Sequence, residues 1–167
     1  MKFQITSIFR VSPTVFWRDV FFDAEYNRGL YEALGFPHCE VQRLDRQPDG
    51  SVHRRLRVVP LIKAPAIIRR KLEDRFYYVE EGNLDPRTQL WSFQTLPSIA
   101  PDSTRIHGVV RTAPHGDGME HVLDLTAVVT AFGLGSLFER AVESNTRDGY
   151  RRTVEFTDAY TARMGLC

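Results

Sequence analysis

Residues 136–165 read SLFERAVESNTRDGYRRTVEFTDAYTARMG, and the fold turns on how this stretch is read. Ser136 followed three residues later by Glu139 fits a capping box, in which each side chain satisfies the other's free backbone amide. Gly165 is placed for the left-handed position after the last turn, with Leu166 as the apolar residue behind it and Arg163 near the negative end of the helix dipole. Between these signals the spacing predicts one uninterrupted helix, roughly 40 Å long at 1.5 Å per residue. The mean helix is only about 11–12 residues. Steps of three and four put Phe138, Val142, Asn145, Gly149, Thr153, Phe156, Tyr160 and Met164 on one face. The ends of this stripe are large and apolar, whereas its waist (Asn145, Gly149, Thr153) is small or polar. Two readings of the waist are open. Gly149 lets a neighbouring element approach closely, or is simply tolerated at a cost of about 1 kcal/mol. Alternatively, the helix covers a cavity and its waist faces a ligand.

Working outward, the chain before this helix is dominated by strands. Lys2 to Val11 alternates, with Phe3, Ile5, Ser7, Phe9 and Val11 on one side, as a half-buried strand does. Ser12-Pro13 is a cap followed by proline at the first helical position, predicting a short helix from Thr14 to Val20. Asp23 caps a second helix, Ala24 to Leu34, which Gly35-Phe36-Pro37 ends. Strands are predicted at Cys39 to Arg46 and, after the turn Gln47-Pro48-Asp49-Gly50, at Ser51 to Pro60, whose Val52, Arg54, Leu56 and Val58 share a face. A short helix follows over Ala64 to Leu72. Arg75 to Gly82 is the next strand, with Asn83-Leu84-Asp85-Pro86 as its turn. Thr88 to Leu96, Thr104 to Pro114 and Met119 to Thr130 complete the set, the last two joined by a hairpin at His115-Gly116-Asp117-Gly118. The last strand places Met119, His121, Leu123, Leu125, Ala127 and Val129 together. The order is strand, two helices, about six antiparallel strands, one long helix: an α+β chain in a single domain, 1–167. A sheet with one apolar face needs that face covered, and only the terminal helix is long enough to do it.

The bulk numbers exclude several classes. Among 167 residues, 43% are hydrophobic and 26% charged, and the net charge is +1, so no global field argues for nucleic acid or an acidic membrane. Arginine is dense in Arg54-Arg55-Leu56-Arg57 and around Arg69-Arg70-Lys71, and both runs read as solvated faces. No apolar run approaches the ~20 residues of a membrane span, and the N-terminal residues lack the apolar core of a signal peptide. Two cysteines, Cys39 and Cys167, make no disulfide framework, so a reducing cytoplasm is the expected compartment.

No catalytic motif emerges. The histidines are scattered, although His107 and His121 would meet if their strands paired in that register; no metal and no cofactor is expected. No G-x-S-x-G elbow occurs, and Gly133-Leu134-Gly135 opens no nucleotide loop. Cys39 has no partner to activate it. Acid–base candidates are His121 and Asp124 on the last strand, Tyr77 or Tyr78, and Arg57. The wall of a cavity between sheet and helix would be Leu56 and Val58, Phe76 and Tyr78, Trp91 and Phe93, Val109 or Val110, Leu123 and Leu125, facing Asn145, Gly149 and Thr153. Taken alone, the same residues describe an ordinary core.

The Ser12-Pro13-Thr14-Val15-Phe16 opening and the glycine-led closing helix, Gly133-Leu134-Gly135-Ser136-Leu137-Phe138-Glu139, resemble the START-like helix-grip superfamily, also called polyketide-cyclase or Bet v-like (SRPBCC). The segment from Val58-Val59-Pro60 to Leu72, ahead of a strand-rich half, is most similar to a bacterial START-like family of unassigned function. The resemblance implies an antiparallel sheet wrapped around the C-terminal helix, with two short helices after the first strand. It also implies a hydrophobic ligand (lipid-like, sterol-like or polyketide-like) in the cavity between them. Binding or transport stands first; a cyclase, aromatase or dehydratase using acid–base residues in the same cavity is the alternative. A third reading is an interaction module with an apolar patch around Ile62, Ile67 and Ile68. As an alternative to that patch, the same short helix is a mobile gate over the cavity, with Pro60, Pro65 and Arg69-Arg70-Lys71 letting it touch anionic headgroups in transient membrane contact. No oligomeric state is implied.

Overall fold

The computed structural model describes residues 1–72, 76–130 and 133–167. The first strand, β1 (Lys2–Phe9), alternates as its sequence requires: Ile5 and Phe9 are buried and Ile8 faces outward. Ser12 caps the next turn by accepting from the Val15 amide at 3.4 Å, with Pro13 as the first helical residue. Helix α1 (Pro13–Val15) is brief and widens into a π-type turn, Phe16–Val20. That turn replaces the plain helix expected over Thr14 to Val20 and carries Phe16, Trp17 and Val20 into the interior. Asp23 caps α2 (Ala24–Leu34), accepting from the Tyr26 amide at 2.7 Å, and Gly35 closes it at φ 74°. A residue with a side chain adopts that conformation only at a cost.

Five antiparallel connections then generate β2 (His38–Arg46), β3 (Val52–Val59), β4 (Tyr78–Asp85), β5 (Leu90–Pro97), β6 (Thr104–His115) and β7 (Gly118–Val129), with α3 (Ala66–Leu72) inserted between β3 and β4. All seven strands form one antiparallel sheet in the order β1-β7-β6-β5-β4-β3-β2. β7 returns to pair with β1, placing Leu123 opposite Ile5 and Met119 opposite Phe9. Two expectations change here. Asn83-Leu84-Asp85 is strand, not turn, because Leu84 is buried between its cross-strand partners Val52 and Trp91. At the other end β4 begins at Tyr78, and Arg75, expected to start it, lies outside the described residues. The β6–β7 register pairs His121 with Thr112 and His107 with Thr126, so the two histidines do not meet.

Helix α4 (Gly135–Met164) has 30 residues, about 45 Å at 1.5 Å per residue. Its stop is as the sequence reads: Gly165 at φ 66°, with the Leu166 amide donating back to Thr161 O at 2.9 Å. Its start is not. The helix begins at Gly135, two positions ahead of the start that a Ser136 cap implies, and Leu134 caps it without a side-chain bond. Gly135 packs so closely on the end of β7 that a Cβ there would lie 2.0 Å from Val129 O. Glu139 therefore does not close a capping box on Ser136. Its carboxylate accepts instead from the Val129 amide at 3.1 Å and the Met1 amino group at 3.2 Å, tying the helix to β7 and β1.

The inner face of the sheet and the apolar sides of α1, α2 and α4 share one core, in which Phe9, Tyr26, Trp91, Met119 and Leu123 are buried. Each large side chain removed from water contributes about 1.5–3 kcal/mol. The C-terminal part of α4 packs tightly on α2. The Tyr26 hydroxyl meets Thr157 Oγ1 at 2.8 Å, the Tyr160 hydroxyl donates to Asp23 at 3.0 Å, and the Phe156 ring lies over Gly29.

Candidate functional site

Further along α4 the packing opens. Between the inner face of the sheet and the helix waist lies a cavity of about 380 Å³, within the size range of small-molecule sites. Its wall is mainly apolar. β5 supplies Trp91 and Phe93, β6 Ile106 and Val110, β7 Leu123, Leu125 and Val129, the π-type turn Phe16, and the residue that follows the turn Phe21. Phe76 and Tyr78 line it from the β4 side, and Asn145, Gly149 and Thr153 from α4. Most of the wall expected from sequence is thus brought together. A Cβ placed at Gly149 meets no atom within 4 Å, so close approach by a neighbouring element is not the reason for the glycine, which leaves a tolerated glycine or a waist that faces a ligand. The polar groups beside it are already engaged. Thr153 Oγ1 bonds back to Gly149 O at 2.9 Å. The Asn145 amide donates to Lys63 O at 2.8 Å and accepts from the Lys63 amide at 3.0 Å, clasping the segment after β3 onto the helix. Lys63 also pairs with Asp148 at 2.7 Å, and Lys63 and Arg151 hold the Asp148 carboxyl down at about 2. Leu61 and Lys63 are the well-exposed residues of this wall and mark its mouth.

Several sequence candidates fall elsewhere. Leu56 and Val58 are fully buried but packed solid, leaving no surface to the cavity. Asp124 is one position out of phase with Leu123 and Leu125 and so faces outward, accepting from Gln4 at 2.7 Å and pairing with Arg111. Alternation likewise turns Arg57 out, where it stacks over Tyr77 at 4.1 Å. The trio Ile62, Ile67 and Ile68 makes no common patch: Ile68 is buried against Val129 and Phe138, Ile62 lines the cavity and Ile67 is exposed.

Much of the polar lining comes from residues that the sequence did not single out. Arg54 belongs to a run read as solvated, yet its side chain is only 4% exposed. Its guanidinium pairs with Glu80 at 2.8 Å, donates to Phe21 O at 3.2 Å and Asn27 Oδ1 at 3.4 Å, and sits 4.4 Å over the Phe21 ring and 5.1 Å over Trp91. Its Nε is buried without a partner among the described residues. One signal for this was visible: Arg54 shares a strand face with Val52, Leu56 and Val58. Tyr31 and Tyr150 also line the cavity, beside the expected Tyr78. Burial, followed by the nearby Glu80 charge, raises the hydroxyl pKa of all three, so they are neutral. His121 is where its alternation put it, 3% exposed among the rings of Phe9, Phe16 and Tyr150. Burial pushes its imidazole down to about 4, leaving it neutral at pH 7, and its Nδ1 has no partner among the described residues.

Among the described residues no group of three or more His, Cys, Asp or Glu side chains is placed to hold a metal, and no helix is long and apolar enough to cross a membrane.

This architecture matches solved structures along nearly its whole length. TTHA0849 from Thermus thermophilus aligns with a TM-score of 0.65 at 17% identity, over 98% of this chain and 99% of that one. The Zhui aromatase/cyclase from Streptomyces sp. R1128 aligns with a TM-score of 0.60 at 13% identity, over 95% and 93%. Ara h 8.0201 aligns with a TM-score of 0.61 at 11% identity, over 94% and 97%. At such identities the likeness is one of fold, the helix-grip fold expected from the sequence. No curated protein matches the sequence. Residues 5–161 match a family described as protein of unknown function, DUF2505.

Proposed function

The chain belongs to the DUF2505 family, and from that footing we propose that it binds a hydrophobic small molecule in the cavity under α4. The observation that carries this reading is the open space at Gly149, where the long helix crosses an apolar hollow in place of a filled core. A void of this kind costs stability in a protein that has no use for it. The clasp between Asn145 and Lys63 gives the mouth a segment that can open without unfolding the sheet. Protein purified without detergent and extracted into organic solvent is expected to release a lipid-like, sterol-like or polyketide-like molecule, detected by mass spectrometry. An empty extract, together with no binding of an uncharged environment-sensitive dye, would refute the proposal.

A second reading, catalysis of cyclase, aromatase or dehydratase type, has one observation in its favour. Glu80, Tyr78 and His121 all reach the same cavity, and one structural neighbour carries the name aromatase/cyclase. Under this reading the extracted molecule is converted on prolonged incubation with fresh protein; a carrier returns it unchanged.

A further inference from the structure

The polar groups inside the cavity share one property: none is a net charge awaiting a partner. Arg54 is the only cation deep in the wall among the described residues, and Glu80 matches it at 2.8 Å. The guanidinium is also flanked by the rings of Phe21 and Trp91. His121 is neutral and the tyrosines are protonated. The remaining wall charges stand at the mouth. Lys63 is paired with Asp148 there, and Arg152 donates to the carbonyls of Ala33 and Leu34 at the C-terminal end of α2. An ionised ligand drawn into the interior would be a buried charge without a counter-charge, which is strongly unfavourable.

Hydrogen-bonding capacity, by contrast, is in surplus. The hydroxyls of Tyr31, Tyr78 and Tyr150 have no hydrogen-bond partner among the described residues. Arg54 Nε–H is buried and likewise unmatched. The hydroxyls line the cavity, and each has a donor to offer until something accepts from it. A neutral hydroxyl or carbonyl oxygen on the ligand does so without adding charge.

We propose that the cavity selects an uncharged, mainly apolar ligand carrying at least one hydroxyl or carbonyl oxygen, held near Arg54, Glu80 and the tyrosine hydroxyls, and rejects carboxylates of the same shape. Glu80 is the selecting group: its carboxylate cancels Arg54 and so removes the one charge that would attract an acid. This inference rests on the cavity being a binding site, and the test separates the two claims.

The probes are 2-naphthol, 2-naphthoate and 2-ethylnaphthalene, titrated at pH 7.5 against the wild type and Glu80→Gln, with circular dichroism and a thermal melt to confirm folding. In the wild type, 2-naphthol is expected to bind about tenfold or more tighter than 2-naphthoate, a difference of about 1.4 kcal/mol, and tighter than 2-ethylnaphthalene. In Glu80→Gln, which leaves Arg54 unmatched, 2-naphthoate is expected to gain about tenfold while 2-naphthol changes by less than about threefold. Equal or tighter binding of 2-naphthoate by the wild type overturns the inference and leaves the binding site standing. A preference for 2-naphthol that Glu80→Gln does not move overturns the role given to Glu80. Failure of all three probes overturns the binding site itself. If the variant does not fold, the wild-type ranking of 2-naphthol against 2-naphthoate still decides the question.

Discussion

Helix α4 is packed in two different ways along one face. Toward its C-terminus it meets α2 as one core element meets another. Gly29 of α2 lies under Phe156 so closely that a Cβ there would come within 2.8 Å of the ring, and the buried hydroxyls of Tyr26, Thr157 and Tyr160 all have partners. At its waist, two turns earlier, Gly149 faces open space, and the buried polar groups opposite, His121 Nδ1 and Arg54 Nε, have none among the described residues. Both regions use glycine on a helix, for opposite reasons. At Gly29 the missing side chain admits a neighbour. At Gly149 it leaves a hollow. One helix thus serves as structural clamp at one end and as cavity roof in the middle.

Acid should expose the difference most strongly. His121 has a folded-state pKa depressed to about 4 against an unfolded value of about 6.5. The unfolded chain therefore takes up a proton first. The stability that His121 contributes by staying neutral is fully present above about pH 6.5 and is lost as pH falls toward 4. Urea melts at pH 7.5 and pH 5 are expected to differ by about 2 kcal/mol from this group alone. His121→Phe, which keeps an aromatic ring among Phe9, Phe16 and Tyr150, is expected to flatten that difference. An unchanged pH slope would mean that the imidazole is not held neutral.

The next effect is a reversal of sign. Gly29→Ala should destabilise by about 1–2 kcal/mol, because displacing the Phe156 ring outweighs the helix-propensity gain. Gly149→Ala should stabilise the protein by up to about 1 kcal/mol, since only the propensity term acts. If both substitutions shift the denaturation midpoint in the same direction, the contrast between clamp and roof fails.

The smallest effect in stability is at the mouth. Asn145→Ala removes two bonds to the Lys63 backbone and should cost about 1 kcal/mol. It should also speed release of a bound dye in stopped-flow measurements several-fold, while Thr153→Ala, whose hydroxyl bonds only within the helix, leaves the release rate unchanged.

The layout of α4 was legible in its sequence because caps and periodicity are local. The Gly165 stop, the Asp23 and Ser12 caps and the alternation of β1, β3 and β7 all read correctly for this reason. The start of α4 misled because Ser136 and Glu139 satisfy a local rule that a tertiary contact overrides: Gly135 must press against Val129 O, and Glu139 is drawn to β7. The cavity was legible in part. That His121, Trp91, Phe93, Leu123 and the waist of α4 face inward follows from period alone, but that a hollow lies between them came only from the resemblance to the helix-grip fold. Arg54 and Glu80 did not, because their pairing runs diagonally between β3 and β4, and neither strand reveals that register by itself. A run of arginines looks solvated until alternation is allowed to turn one of them inward. Asp124 and Arg57 were lost to the same rule, each one residue out of phase with the inner face.

The central claim is that the hollow at Gly149 is where a ligand sits, and it is tested most directly by filling it. Gly149→Phe places a ring in space that is empty. Binding of an uncharged solvatochromic dye, titrated against the wild type, Gly149→Ala and Gly149→Phe, is the measurement. Gly149→Phe is expected to melt within a few degrees of the wild type and to lose dye binding at least about tenfold, while Gly149→Ala retains it. A well-folded Gly149→Phe that binds the dye as tightly as the wild type would contradict the account.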